Sequence, residues 1–174
     1  MGGADGRNLT PTVLESLDGV QGDFTVTAVM GPVASNAGEV EAAAHACRRD
    51  VRLAPSPDTL RPFMLEADLA VAAGGQTLYE LAATGTPAVA VQVAENQAGN
   101  VRGFARYDTA TPIVFRDREN LKAALADAVA KLIAQPARRE KMSQAGRCLI
   151  DGLGTQRVAG ALSEMLSLRA GVER

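Results

Sequence analysis

With 174 residues, 47% of them hydrophobic, the chain is long enough for one domain with its own core. The formal net charge is −2, aromatic residues make up 3% and Trp is absent, so composition argues against binding to nucleic acid or to an anionic membrane surface. No apolar run approaches the roughly 20 residues that span a bilayer, and the N-terminus lacks a signal-peptide pattern, so we expect a cytoplasmic protein with a small neutral-to-anionic partner.

Strands and helices alternate along the chain after an initial glycine-rich loop. Pro11 lies near the first turn of a helix that places Val13, Leu14 and Leu17 on one face. Asp58 is the predicted N-cap of a helix that follows two prolines. Further helices are predicted over 39–49, 59–66, 77–84, 97–106, 120–135, 137–150 and 155–169, and strands over 24–30, 51–53, 69–73, 88–93 and 113–115. This alternation with short connections predicts an α/β fold with a doubly wound, mostly parallel sheet.

The most informative segment is the apolar run 67–73, which stops at Gly74 and Gly75 and is followed at once by a helical pattern. A strand, a tight turn and a helix N-terminus leave backbone N–H groups without intrahelical partners, and the helix dipole favours an anion there. Glu80 follows one helical turn later, and the apolar strand 88–93 also ends in a polar loop. Because ligands of open α/β sheets bind at such strand ends, the pattern predicts a phosphate or anion site.

The sequence indicates no metal and no cofactor. No strand is followed by Gly-x-Gly-x-x-Gly, and Gly-Lys-Ser/Thr does not occur, so the dinucleotide and P-loop fingerprints are missing. Cys47 and Cys148 have no Cys or His at metal-ligand spacing and are interpreted as buried thiols of a reducing compartment. The only histidine, His45, is expected to be structural or solvent-exposed.

Three short motifs resemble the C-terminal, nucleotide-sugar-binding half of enzymes with the GT-B fold. They are the run from Gly74 to Glu80, then Gly85-Thr86-Pro87, and then Glu95-Asn96-Gln97. Together with Gly2-Gly3-Ala4-Asp5 and Asn8-Leu9-Thr10, they are similar to the UDP-sugar hydrolase family of pseudaminic acid biosynthesis and its spore-coat-polysaccharide relatives. The peptidoglycan UDP-N-acetylglucosamine transferases are a more distant match. The resemblance covers roughly residues 2 to 106.

The resemblance implies one nucleotide-sugar-binding domain over 1–174, a Rossmann-like half of a GT-B fold with C-terminal helices at 120–169. It implies the UDP-sugar-binding domain of a nucleotide-sugar hydrolase in bacterial surface polysaccharide or nonulosonic acid biosynthesis. The alternatives are the donor-binding domain of a GT-B glycosyltransferase and a non-catalytic binding module derived from one. Whether the chain is itself an enzyme stays open, because residues outside it would complete the chemistry.

The resemblance also assigns residues to each part of a UDP-sugar. Gly74, Gly75, Gln76 and Thr77 would supply backbone and hydroxyl donors to the pyrophosphate, and Glu80 would accept hydrogen bonds from the ribose hydroxyls. The backbone of Leu53 and Ala54 would contact the uracil edge. Asn96 and Gln97 would face the sugar, and Gly2 and Gly3 would line the cleft.

Plainer interpretations stand beside these assignments. The two glycines could serve packing alone, and Glu80 could face solvent. Asn96 and Gln97 could simply cap the following helix. Asp5 is interpreted as a turn residue that hydrogen-bonds its own loop rather than as a catalytic acid.

The chain departs from the resembled family in two ways. Gly6 stands where the family usually has proline. The family's N-terminal domain is also absent, and with it the histidine thought to activate water. A strand directly ahead of Gly2 would be the central strand of the sheet, so strands 24–30 and 69–73 would lack the partner between them. We therefore expect a fragment, a truncated reading frame, or a chain that recruits a strand by oligomerising.

Overall fold

The computed structural model describes Met1 and residues 5–172, with side chains up to residue 167. Helices and strands alternate over most of this length, and a single 3-10 turn covers Glu95–Gln97. The helices are α1 Thr10–Asp18, α2 Ala37–Ala46, α3 Arg61–Glu66, α4 Thr77–Thr84, α5 Ala98–Arg106, α6 Arg118–Ile133, α7 Pro136–Leu149 and α8 Gly154–Val172. The strands are β1 Val26–Met30, β2 Val51–Pro55, β3 Ala70–Ala73, β4 Ala88–Gln92 and β5 Ala110–Val114.

All strand pairs in the described residues are parallel, which confirms the predicted α/β class. They form two sheets, one of β1 and β2 and one in the order β3-β4-β5. Among the described strands, β1 pairs only with β2, and β3 pairs only with β4. The sheet predicted as one is therefore divided in two.

Strand β4 shows why helices cover both faces of the larger sheet. Its side chains alternate between two hydrophobic clusters, with Val89 and Val91 in one and Ala88 and Ala90 in the other. All four are buried, as expected for a central parallel strand whose sequence is apolar throughout. The first cluster lies against α1 and α6, and the second lies against α4 and α5. The sheet is thus doubly wound.

The longest core helix, α6, follows helical periodicity closely. Leu121, Leu125 and Leu132 are buried and lie on one stripe, which packs on the β4 face that carries Val89 and Val91. The helix begins where the Asp117 carboxylate accepts the Asn120 amide at 2.8 Å.

Several predicted boundaries differ from the observed ones by two or three residues, and one predicted burial was wrong. Helix α3 begins at Arg61, so Asp58 does not cap it, and the Arg61 amide instead donates to Oγ1 of Thr59 at 3.3 Å. Strand β5 begins at Ala110 rather than 113, because Pro112 is tolerated in the outer strand of the three-stranded sheet. Cys148 is exposed and Cys47 is only partly buried, so neither is the buried thiol that was predicted.

Helix α8 carries an apolar stripe that faces solvent. Val158, Leu162, Met165 and Leu166 lie at helical spacing, and each is more than half exposed. Hydropathy and length together rule out a membrane-spanning segment for every helix in the part of the chain that the structure describes.

Candidate functional site

The sharp turn after β3, here called the glycine turn, consists of Gly74 and Gly75. The Gly74 amide still belongs to the sheet, since it donates to the Val91 carbonyl at 2.9 Å. The Gly75 amide donates to the Ala73 carbonyl at 2.8 Å and so closes the turn on itself. Helix α4 then begins at Thr77, which gives the strand, turn and helix order that the sequence predicts.

The two glycines have different surroundings. A methyl group on Gly74 would lie 2.4 Å from Cγ2 of Val101 and 3.1 Å from Cβ of Gln97, so close packing against α5 and its leading turn requires glycine there. A methyl group on Gly75 would meet nothing within 4 Å. The packing alternative therefore accounts for Gly74, and Gly75 leaves open space beside its backbone.

The first turn of α4 offers backbone donors to that open space. Gln76 occupies the N-cap position in a helical conformation, and its side chain does not cap the helix. The amides of Gln76 and Thr77 lie so near the start of the helix that neither has a helical carbonyl four positions back to which it could donate. Gln76 is exposed and Thr77 is partly buried. These amides and the Thr77 hydroxyl can therefore act as donors to an anion placed at the turn.

Glu80 lies one turn further along α4 and is exposed. Among the side chains that the structure describes, none forms an ion pair or hydrogen bond with its carboxylate. A free carboxylate at this distance from the N-terminus can accept hydrogen bonds from hydroxyl groups of a bound molecule.

Gln97 and Asn100 tie the glycine turn to the next strand end. Oε1 of Gln97 accepts the Val93 amide at 2.9 Å, and Nδ2 of Asn100 donates to the Gly74 carbonyl at 3.3 Å. Tyr79 in turn donates to Oδ1 of Asn100 at 3.1 Å. Asn100 and Tyr79 have no signal in the sequence, because their partners become neighbours only when α4 and α5 pack side by side.

The predicted residues Asn96 and Gln97 differ in their surroundings. Gln97 contacts the glycine turn, whereas Asn96 is exposed in the 3-10 turn. Gln97 occupies the N-cap position of α5, as the capping interpretation predicts, but its side chain makes no capping hydrogen bond to the helix.

Leu53 and Ala54 lie at the end of β2, in the other sheet. Val26 donates to the Asp50 carbonyl and Ser56 donates to the Met30 carbonyl, and backbone groups in a parallel strand alternate between its two sides. The peptide groups of Ala54 are therefore used in pairing with β1, while those of Leu53 point to the outer edge of β2. Leu53 is the one of the two whose backbone can contact a ligand.

The first loop is held by the carboxylate of Asp5, which is buried. It accepts the Leu9 and Thr10 amides at 2.9 Å each and Nδ2 of Asn36 at 2.8 Å. The interpretation of Asp5 as a turn residue is confirmed. Gly2 and Gly3, the other predicted residues of this loop, lie outside the described residues.

The hydrogen bonds decide the charge state of Asp5. Burial alone raises the pKa of the Asp5 carboxyl, but the bonds from Leu9 and Thr10 and the α-ammonium group of Met1 outweigh it, so the pKa lies below its ordinary value. The stability this group adds is present above the unfolded pKa of about 3.9 and is lost as the pH falls through the folded value.

Replacing Asp5 with asparagine is expected to lower the free energy of unfolding by about 1–2 kcal/mol near neutral pH, because an amide cannot accept all of these hydrogen bonds. The difference between the variant and the unsubstituted chain should shrink as the pH falls from about 4, where Asp5 of the unfolded chain becomes protonated, through the lower pKa that Asp5 has in the folded chain. Urea unfolding at a series of pH values measures both effects. An unchanged stability near pH 7 would show that the carboxylate does not hold the loop.

His45 is exposed in the last turn of α2, which confirms its solvent-exposed interpretation.

Comparison with protein-family models gives a match over most of the chain. The model described as "Glycosyltransferase family 28 C-terminal domain" matches residues 1–153. This range contains both sheets, the glycine turn and every residue predicted for the site.

Two curated proteins are similar in sequence. The UDP-N-acetylglucosamine--N-acetylmuramyl-(pentapeptide) pyrophosphoryl-undecaprenol N-acetylglucosamine transferase of Sorangium cellulosum is 34% identical over 119 residues, which are 66% of this chain and 29% of that protein. The spore coat polysaccharide biosynthesis protein SpsG of Bacillus subtilis is 25% identical over 173 residues, which are 95% of this chain and 49% of that protein. The chain thus spans half or less of the length of these relatives.

Two solved structures show the same fold. Acinetobacter baumannii MurG superposes with a TM-score of 0.76 at 18% identity, over 94% of this chain and 48% of that one. WaaG, a glycosyltransferase involved in lipopolysaccharide biosynthesis, superposes with a TM-score of 0.64 at 18% identity, over 86% of this chain and 40% of that one. The fold is therefore the Rossmann-like half of a GT-B glycosyltransferase.

Proposed function

Because the chain belongs to the glycosyltransferase family 28 C-terminal domain family, we propose that it binds a UDP-sugar at the glycine turn. The single observation that carries the proposal is that a methyl group on Gly75 would meet nothing within 4 Å, beside a helix start whose Gln76 and Thr77 amides have no hydrogen-bond partner among the described residues. A diphosphate is the part of a nucleotide-sugar that this arrangement of donors and helix dipole suits best.

In the proposed complex, each neighbouring group contacts one part of the ligand. The amides of Gln76 and Thr77 donate to the diphosphate, and Glu80 accepts hydrogen bonds from the ribose hydroxyls. The outward-facing backbone of Leu53 contacts the uracil edge. Asn96 faces the sugar, together with the Nε2 group of Gln97, whose Oε1 already accepts from Val93. Gly2 and Gly3 line the cleft in this proposal.

Binding is the step common to sugar transfer and to hydrolysis, so the proposal concerns the nucleotide-sugar and not the acceptor. The narrower assignment to a UDP-sugar hydrolase of pseudaminic acid biosynthesis stays a prediction. The matched family and the Sorangium transferase are described as glycosyltransferases, and the Bacillus relative as a polysaccharide biosynthesis protein. The activity of a complete enzyme requires an acceptor site, which the proposal places outside this chain.

A comparison of uridine ligands tests the proposal. UDP should raise the melting temperature of the chain, UMP should raise it less, and uridine should have little effect. The reason is that the main proposed contacts are made to the two phosphate groups of the diphosphate. ADP is the matched control for the base, since it carries the same diphosphate. Equal shifts with UDP and uridine would show that the turn does not hold the diphosphate, and the absence of any shift with all four ligands would favour a binding module that has lost its nucleotide.

A further inference from the structure

The peptide group that joins Gly74 to Gly75 is held at both of its ends. Its N–H group, that of Gly75, donates to the Ala73 carbonyl at 2.8 Å. Its C=O group, that of Gly74, accepts a hydrogen bond from Nδ2 of Asn100 at 3.3 Å. A peptide between two glycines meets little steric resistance to rotation, because neither neighbour carries a Cβ. The two hydrogen bonds therefore determine the orientation of this peptide.

The side-chain amide of Asn100 fits this position in one orientation only. A carbonyl oxygen accepts hydrogen bonds and cannot donate them, so the Gly74 carbonyl requires the Nδ2 group of Asn100. Oδ1 of Asn100 then faces the hydroxyl of Tyr79, which donates to it at 3.1 Å. A half-turn of the amide would place Oδ1 against the Gly74 carbonyl and would lose the bond to the turn. The Tyr79 hydroxyl thus supports the orientation that the glycine turn needs.

Tyr79 is itself anchored to the core. Its ring packs edge-on against the ring of Phe104, with the ring centroids 4.9 Å apart and an angle of 89° between the planes. Phe104 is buried in the second hydrophobic cluster, which also contains Ala90 of β4. A chain of contacts therefore runs from the core through Tyr79 and Asn100 to the Gly74 carbonyl.

The glycine turn connects this peptide directly to the proposed donors. Gly75 is followed by Gln76, whose amide is the first of the two that the proposal directs at the diphosphate. The carbonyl of Gly75 accepts the Leu78 amide at 3.2 Å, so one side of the turn is tied to α4. Asn100 ties the other side to α5. Without that second tie the peptide can rotate, and Gly75 moves relative to the start of α4.

We propose that Asn100 is a positioning residue for the diphosphate, and that Tyr79 holds the Asn100 amide in its working orientation. Asn100 touches no ligand in this proposal. It acts through the Gly74 carbonyl, by keeping the turn in the one conformation that directs the Gln76 amide at the ligand. The inference rests on the proposed function, since UDP is the ligand whose binding it strengthens. Apparent affinity falls in proportion to the population of the binding-competent conformation, so a freely rotating peptide weakens binding.

Two variants and a control separate this role from a general loss of stability. Asn100→Ala removes both hydrogen bonds of the Asn100 side chain. Tyr79→Phe removes only the hydroxyl and keeps the ring contact with Phe104. Asn120→Ala is the matched control, because Asn120 is also the third residue of its helix and is exposed. Among the described residues, the Asn120 side chain has no hydrogen-bond partner.

Amide hydrogen exchange of the ligand-free chain measures how firmly the peptide is held. The Gly75 amide should exchange about tenfold or more faster in Asn100→Ala than in the unsubstituted chain, because rotation breaks its bond to Ala73. The Gly74 amide, which donates to Val91 across the sheet, is the internal reference and should exchange at an unchanged rate. Equal acceleration at both amides would indicate a general loss of stability and would overturn the proposal. An unchanged rate at Gly75 would overturn it as well.

Calorimetric titration with UDP measures the consequence for binding. Asn100→Ala should bind UDP roughly tenfold more weakly, Tyr79→Phe roughly two- to threefold more weakly, and Asn120→Ala as the unsubstituted chain does. Unchanged affinity in Asn100→Ala would overturn the positioning role and leave UDP binding at the turn intact. An unsubstituted chain that did not bind UDP would contradict the proposed function and, with it, the positioning role. The exchange rate of the Gly75 amide would then still show whether Asn100 holds the peptide.

Discussion

Replacing Gly74 with alanine is expected to lower the free energy of unfolding by about 2–3 kcal/mol. The added methyl group would lie 2.4 Å from Cγ2 of Val101, well inside contact distance, and Val101 is itself buried. A β-branched side chain in a helix has one strongly preferred rotamer, so Val101 cannot turn aside cheaply. Relief requires that α5 move away from the glycine turn, which weakens the packing of the second cluster.

The same substitution at Gly75 is the matched control. Its methyl group would have nothing within 4 Å, so the free energy of unfolding of Gly75→Ala should lie within about 0.5 kcal/mol of that of the unsubstituted chain. Urea unfolding of the three proteins measures the difference. If both variants lost the same stability, the contact with Val101 would not be the reason for glycine at position 74. In a UDP titration, Gly75→Ala should bind more weakly, because its methyl group occupies space that the proposal gives to the diphosphate.

Replacing Glu80 with alanine is expected to weaken UDP binding by roughly 10- to 100-fold, since a hydrogen bond to a charged group contributes about 1.5–3 kcal/mol. The carboxylate is exposed and has no partner among the described side chains, so the fold should be unaffected. Calorimetric titration with UDP measures the loss. Glu41→Ala, which removes another exposed helical glutamate far along the chain from the glycine turn, is the control and should bind UDP as the unsubstituted chain does.

A ligand without ribose hydroxyls separates the proposed role of Glu80 from a general effect of charge. The unsubstituted chain should bind 2′,3′-dideoxy-UDP about as weakly as Glu80→Ala binds UDP, and the variant should hardly distinguish the two ligands. If Glu80→Ala weakened the binding of both ligands by the same factor, the carboxylate would affect binding without contacting the ribose hydroxyls.

Local patterns in the sequence were sufficient for the order of elements and for the glycine turn. An apolar run, two glycines and a helical pattern determine the path of β3 and α4, because each step depends on neighbours in the chain. The role of Asp5 could also be predicted from its neighbours in the chain, because all but one of its main hydrogen-bond partners lie in the loop that it closes.

Long-range contacts explain what could not be predicted. Position 74 requires glycine because Val101 lies beside it, and Val101 reaches that place only through the packing of α5. Asn100 and Tyr79 support the turn through the same packing. The start of β5 was missed because a local pattern cannot show that Pro112 lies in an outer strand. The division of the sheet was expected from the family resemblance rather than from any local signal.

An amide NMR titration of the 174-residue chain with UDP tests the central claim most directly, because it reports on the proposed donors one by one. The account predicts saturable chemical-shift changes that are largest at the amides of Gln76 and Thr77, with little change at Ala28 in β1. Saturable binding that left these two amides unchanged, or a folded chain with no response to UDP at any concentration tested, would contradict it.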